Sequence, residues 1–324
     1  MADSDWNGIE PGSEIPVSRR RKRAELRRRR NRRRMTWAVA VGAVLLGAAT
    51  SYAAYRLNRA DTGASTVLPG HLPVFAPPGS LDLSSQLAPV TSLFGADNMS
   101  VALLDKETEK WATYGGDVFD TASIVKVDIL STLLLQAQDA DRALAAEERD
   151  LTTDMIENSD NDATSTLWTA IGSAAGLDKA NQRLGLKQTR GGEGTVWGLT
   201  QTTAVDQVRL LAAVFGDKSP PNAESRSYVR HLMYHIAPDQ DWGVSAAADT
   251  GKPTALKNGW LQRSQTHLWD VNSVGRMEKN GRTFYMAVLS NGAGTENSGI
   301  EFVEQAARSA ATAFAKSLSR AVTS

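Results

Sequence analysis

Ser123-Ile-Val-Lys126 sets a hydroxyl and an amine three residues apart, and Ser159-Asp160-Asn161 adds a second hydroxyl and an amide. Three residues is about one turn of helix, so Ser123 and Lys126 share a face. Serine attacks a carbonyl only once something takes its proton. A lysine serves as that base only where burial or a neighbouring cation lowers its pKa. Lys257, in Lys257-Asn258-Gly259, is the candidate neighbour. The set predicts Ser123 as nucleophile, Lys126 as its base and Ser159 as a relay that hands a proton to a leaving nitrogen. Asn161 carries both a donor and an acceptor, suited to gripping a substrate amide. Asp160 reads as structural.

Each piece also has a plain structural reading. Ser123 alone fits a helix N-cap, Ser159-Asp160-Asn161 a loop or cap, and Asn258-Gly259 a hairpin turn. Chance supplies Ser-x-x-Lys about once in a chain this long, but Ser-Asp-Asn well under once. Here each occurs once, in that order, and the Asn258-Gly259 pair lies inside an apolar run. That combination favours catalysis.

The surrounding pattern predicts how these residues are held. Residues 98–105 and 110–114 read as strands joined by a polar turn. From 122 to 138 the apolar spacing is that of a buried helix, which would put Ser123 at its positive end, where developing anions are favoured. Further helices are expected over 151–172, 177–184, 204–215 and 225–236. Strands return over 255–261, 267–277 and 283–290, with Asn280-Gly281 as a hairpin turn, and an amphipathic helix over 298–317 closes the chain. The order predicts an α+β domain: an antiparallel five-stranded sheet, flanked by helices, with an all-helical subdomain inserted between its two parts.

Zero net charge across 324 residues conceals an asymmetry. Residues 1–34 hold twelve Lys or Arg against five acids, whereas from Ala60 onward there are 22 basic and 31 acidic residues. The basic tail suggests nucleic acid until its neighbour is read. Thr36 to Ala54 is charge-free, long enough to cross a bilayer as a helix, and the heavier positive flank precedes it. Anionic lipid explains the tail, and no nucleic acid is expected. The expected layout is a cytoplasmic tail (1–34), a membrane span (35–55), a Pro/Gly/Ser-rich stalk (56–85) and an extracytoplasmic domain (86–320). A cleaved signal peptide is the competing reading, since Ser51-Tyr52-Ala53 resembles a small-x-small cleavage site. There is no cysteine, hence no disulfide or thiolate site. His231 and His235 share a helix face but lack a third ligand, so no metal is expected, and the chemistry calls for no cofactor.

With Ser-x-x-Lys, Ser-Asp-Asn and a late Lys-x-Gly in hand, the chain resembles the class A β-lactamases and penicillin-binding proteins of bacteria. The resemblance spans roughly residues 85–320. It implies an active-site-serine hydrolase of the cell envelope that opens a β-lactam or a D-Ala–D-Ala-like amide of a peptidoglycan stem peptide. Ser123 would be acylated, with Lys126 and Ser159 moving the proton. Asn161, Lys257, Asn258, Gly259 and Trp260 would bind substrate, and the Ser123 and Trp260 N–H groups would form the oxyanion hole. A non-catalytic wall-binding or β-lactam-binding module that kept the fold is the alternative.

Three departures stand out. Asn258 replaces the usual Thr or Ser, though it still offers a donor to a carboxylate. The stretch between the first two motifs is short, implying a trimmed helical subdomain. In the family a Glu on an omega-shaped loop activates the deacylating water, with an Asn four residues later. Here the corresponding stretch, 190–198, is too short for the usual water site; it holds Glu193 as its one carboxylate, the candidate for deacylation, and Trp197 four residues on.

Overall fold

The computed structural model describes residues 76–94, 98–217 and 219–322. The basic tail, the 36–54 stretch and most of the stalk lie outside the described residues. Among the described residues no helix is long and apolar enough to cross a membrane.

Six strands form the main sheet, in the order β1-β3-β2-β8-β7-β6. They are β1 (Leu81–Asp82), β2 (Asn98–Asp105), β3 (Trp111–Tyr114), β6 (Ala255–Gln262), β7 (Trp269–Lys279) and β8 (Arg282–Ala293). The five expected strands pair antiparallel, with β2 and β8 in continuous register from Asn98↔Asn291 to Asp105↔Phe284. β1 corrects the five-stranded antiparallel expectation: it adds a sixth strand, parallel to β3. Its two residues are too few to show alternation in sequence. Leu83 and Leu87 are fully buried. They anchor α1 (Ser84–Phe94), whose Phe94 ring lies 5.3 Å from Phe302.

One face of the sheet is covered by α1 and the long closing helix α8 (Glu296–Val322). Alanines 306, 307, 310, 311 and 315 of α8 are all fully buried. Their small side chains let the helix backbone lie close to the strands. The other face carries the helical insertion, which begins at α2 (Val125–Asp139). Val125 to Leu135 are all buried, so α2 is enclosed on every side, as a central helix must be, with Lys126 and Asp128 among its buried residues.

Around it pack α3 (Ala146–Glu157), α4 (Asn161–Ala170), α5 (Ser173–Leu184), α6 (Ala204–Phe215) and α7 (Ala223–Tyr234). The helix expected over 151–172 is broken at its middle. Ser159 takes a left-handed conformation (φ 51°), and the Asp160 carboxylate caps α4 by accepting from the Ala163 N–H. A small second sheet joins β4 (Phe119–Asp120) to β5 (Gln201–Thr202).

Candidate active site

Ser123 lies in a 3-10 turn, Ala122–Ile124, that feeds directly into α2. The turn is held from several sides. The Thr121 N–H donates to Thr200 O (2.8 Å), and Asn272 Nδ2 of β7 donates to Asp120 O (2.9 Å) and Thr121 O (3.2 Å). Gln201 and Arg263 both bind the Asp120 carboxylate. Ala122 has φ 46°, the left-handed region that costs a β-carbon roughly 1–2 kcal/mol. Strain of this kind persists only where surrounding contacts over-determine it, and these contacts do so beside the predicted nucleophile.

The break between α3 and α4 delivers Ser159 and Asn161 to Lys126. The Lys126 Nζ donates to Ser159 O (2.9 Å), Asn161 Oδ1 (2.9 Å) and Ser159 Oγ (3.0 Å). Two of these partners only accept; the hydroxyl also donates. A neutral amine satisfies the two acceptors with its N–H bonds and keeps its lone pair for a hydroxyl proton. Burial, then the charge of Lys257, holds Lys126 well below the usual lysine range, with Asp160 pulling the other way. Lys257 is fully buried too, and burial pushes its pKa down to about 7. Its Nζ donates to the same Ser159 Oγ (3.0 Å) and to Asn258 O (3.1 Å). One hydroxyl therefore bridges two buried amines, and each amine discourages the other's charge.

Strand β6 closes the site from the sheet side. A β-carbon on Gly259 would stand 2.7 Å from Ser123 N, 2.8 Å from Ile124 N and 2.8 Å from Thr121 O, all backbone atoms. Only glycine lets the strand lie this close to the Ser123 N–H, with Trp260 next in line. Gly259→Ala should therefore cut labelling of Ser123 by a β-lactam about 10²-fold and lower stability by about 1–3 kcal/mol. Labelling rate and thermal melting check this, and unimpaired labelling would refute the close approach.

Two expected binding residues do other work. Asn258 is buried, and its Nδ2 donates to Gln240 O (2.8 Å) and Trp242 O (3.0 Å). Successive strand residues face opposite ways, so Asn258 points away from the side taken by Lys257. It secures the 240–243 segment, and its amide is not free for a substrate carboxylate. The Trp260 ring packs against Trp242, centroids 5.8 Å apart and near edge-to-face, which leaves its backbone as the part relevant to the site.

The 190–200 loop differs most from expectation. Glu193 is exposed where the chain turns through Gly194 (φ 56°), and the structure does not bring it to the lysines. The loop instead presents Trp197, whose ring centroid lies 5.0 Å from Lys126 Nζ. Sequence reasoning missed Trp197 as a site residue, along with Asn272 and Asp120 as supports of the nucleophile turn. No motif marks any of them.

Comparison with known proteins agrees with this architecture. A class A beta-lactamase from Mycobacterium abscessus superposes with TM-score 0.61 at 21% identity, covering 71% of this chain and 98% of that one. A PBP-A variant solved as an acyl-enzyme with penicillin G gives 0.61 at 20% identity, over 74% of this chain and 100% of that one. A beta-lactamase from Burkholderia vietnamiensis gives 0.62 at 17%, over 71% and 95%. At such identities these neighbours show the fold alone. In sequence, proteins of Mycobacterium tuberculosis and Mycobacterium bovis named "Putative lipoprotein LppW" are 30% identical over 172 residues, which is 50% of this chain. The chain spans about half (54%) of the length of these curated relatives. The profile of the beta-lactamase enzyme family matches residues 144–314, a range that takes in Ser159, Asn161 and Lys257 and begins beyond Ser123 and Lys126. On that match, joined to the fold, the chain belongs to the beta-lactamase enzyme family.

Proposed function

We propose that this protein is an active-site-serine hydrolase or acyl-transferase, acylated at Ser123 by a β-lactam or a D-Ala–D-Ala-like amide of a peptidoglycan stem peptide. The observation that carries the reading is the single Ser159 hydroxyl held at 3.0 Å from each of two buried amines. In this reading neutral Lys126 takes the Ser123 proton as Oγ adds to the carbonyl. The oxyanion gathers at the N–H groups of Ser123 and Trp260, and the close packing of Gly259 on the Ser123 backbone supports this assignment. Ser159 then passes a proton to the departing nitrogen, and Lys257 attracts the substrate carboxylate while holding Ser159 in place. Asn161, whose Oδ1 is engaged by Lys126, keeps its exposed amide N–H group for the substrate.

The test is covalent labelling of the full-length chain, purified in mild detergent, with a fluorescent penicillin beside Ser123→Ala. The expected result is stoichiometric label that vanishes in the variant. Absence of Ser123-dependent label across several β-lactams and a thioester would favour the alternative, a non-catalytic wall-binding module. We further propose that residues 36–54 anchor the chain in the cell membrane with the domain on the outer side. The charge-free stretch, its Arg-rich flank and the lipoprotein name of the mycobacterial relatives support this placement.

A further inference from the structure

We propose that Trp197 sets the lifetime of the Ser123 acyl-enzyme, by walling Lys126 with an indole where hydrolysis needs a base and room for water. The inference rests on the acylation reading above and concerns the step after it.

Hydrolysis of the ester needs a water whose oxygen adds to the acyl carbonyl. A base must take that water's proton, the bond to Ser123 Oγ must break, and the proton must return to Oγ. The 190–200 loop is the structural wall beside Lys126, so its side chains decide what stands there. Arg190 is spent on backbone, donating to Thr189 O and Lys187 O. Thr200 Oγ1 accepts from Gly192 N. Glu193 is exposed. What meets Lys126 is the Trp197 ring, which has no lone pair to accept a proton.

The indole is also fixed in place. Its Nε1 donates to Ser165 Oγ of α4 (3.2 Å). The same loop is pinned by Trp168 Nε1, which donates to Gly194 O (2.8 Å), and by the Thr121 N–H on Thr200 O. The turn Trp197–Leu199 packs on the Ala122–Ile124 turn that carries Ser123.

The experiment measures two rates separately in the full-length protein and in Trp197→Phe, Trp197→Ala and Trp197→Glu. Label formation with fluorescent penicillin reports acylation; loss of label after removing free drug reports hydrolysis. Trp197→Phe keeps an apolar wall and should retain a long-lived label within about 3-fold of the parent. Trp197→Ala should shed it about 10-fold faster, and Trp197→Glu, which adds a carboxylate beside Lys126, about 10²-fold faster or more. Equal decay in all four proteins overturns the assignment of Trp197 and leaves acylation standing. Loss of labelling in the Ala and Glu variants alone also overturns it, by placing the indole in the first step. If the parent takes no label, both readings fall.

Discussion

Replacing Lys126 with methionine should slow acylation of Ser123 by about 10³-fold and at the same time raise the melting temperature. Methionine fills nearly the same space without an amine. The parent side chain is fully buried, and burial with the neighbouring Lys257 charge lowers its pKa well below the usual lysine range. In the proposed mechanism removing it takes away the base, and it also removes the cost of burying the group. Both lysines have folded-state pKa values below their unfolded ones. Their share of stability is therefore full only above the unfolded lysine range, about 10.4, and is lost as pH falls.

The same shifts set the activity profile. With an uncharged thioester the parent's acylation should climb with pH as Lys126 loses its proton. With an anionic penicillin a falling limb should appear above about pH 7, as Lys257 loses the charge that attracts the carboxylate. The methionine variant should lack the climbing limb. Acylation within about 10-fold of the parent would remove Lys126 from the mechanism.

Asp128→Asn should stabilise the fold by roughly 2–4 kcal/mol at pH 7. Asp128 sits two residues beyond Lys126 on the face of α2 turned to α5 and is fully buried. Its neighbours are hostile to charge. Burial comes first, and the Asp178 and Asp206 carboxylates add to it; the Asn181 amide, with its NH2 turned toward both Asp128 oxygens (2.9 and 3.0 Å), pulls the other way. The net effect raises the pKa to about 8.

At neutral pH the folded carboxyl is protonated and the unfolded one ionised. The stability this proton uptake provides is complete below about pH 4 and drains away as pH rises to about 8, at about 1.4 kcal/mol per unit. Asparagine keeps the shape and removes the slope. Denaturant titrations of both proteins at pH 5, 7 and 8.5 should show a gap that widens with pH, and a constant gap would disprove the buried neutral acid. Asp178 and Asp206 also hold the start of the 190–200 loop, accepting from Gly191 N (2.7 Å), Gln188 N (2.6 Å) and Thr189 Oγ1 (3.1 Å).

The parts of this protein legible from sequence are those written in local pattern. α6 runs over 204–215 as its apolar spacing and its Thr203 cap dictate. Lys126, Ser159, Asn161 and Lys257 come together because each sits at a fixed offset from a helix start, a helix break or a strand face. The direction of Asn258 was available too, since the two-residue period of a strand separates it from Lys257. Other features had no local trace. β1 is two residues long in a Pro-rich stretch, and α1 carries Pro89 within it. Asn272 reaches Asp120 across 152 positions, which no periodicity records. Trp197 looks like any other aromatic until the loop is folded over Lys126.

The seam between Gly259 and the Ser123 backbone has a consequence for timing. Ser123, Lys126 and Ser159, the proposed nucleophile, base and relay, are all made before residue 162, yet Gly259 and its strand come about a hundred residues later. The Asn272 amide that holds the nucleophile's turn comes later still. In the proposed mechanism, a nascent chain emerging from its N-terminus thus carries Ser123, Lys126 and Ser159 before the strands that complete the site arrive.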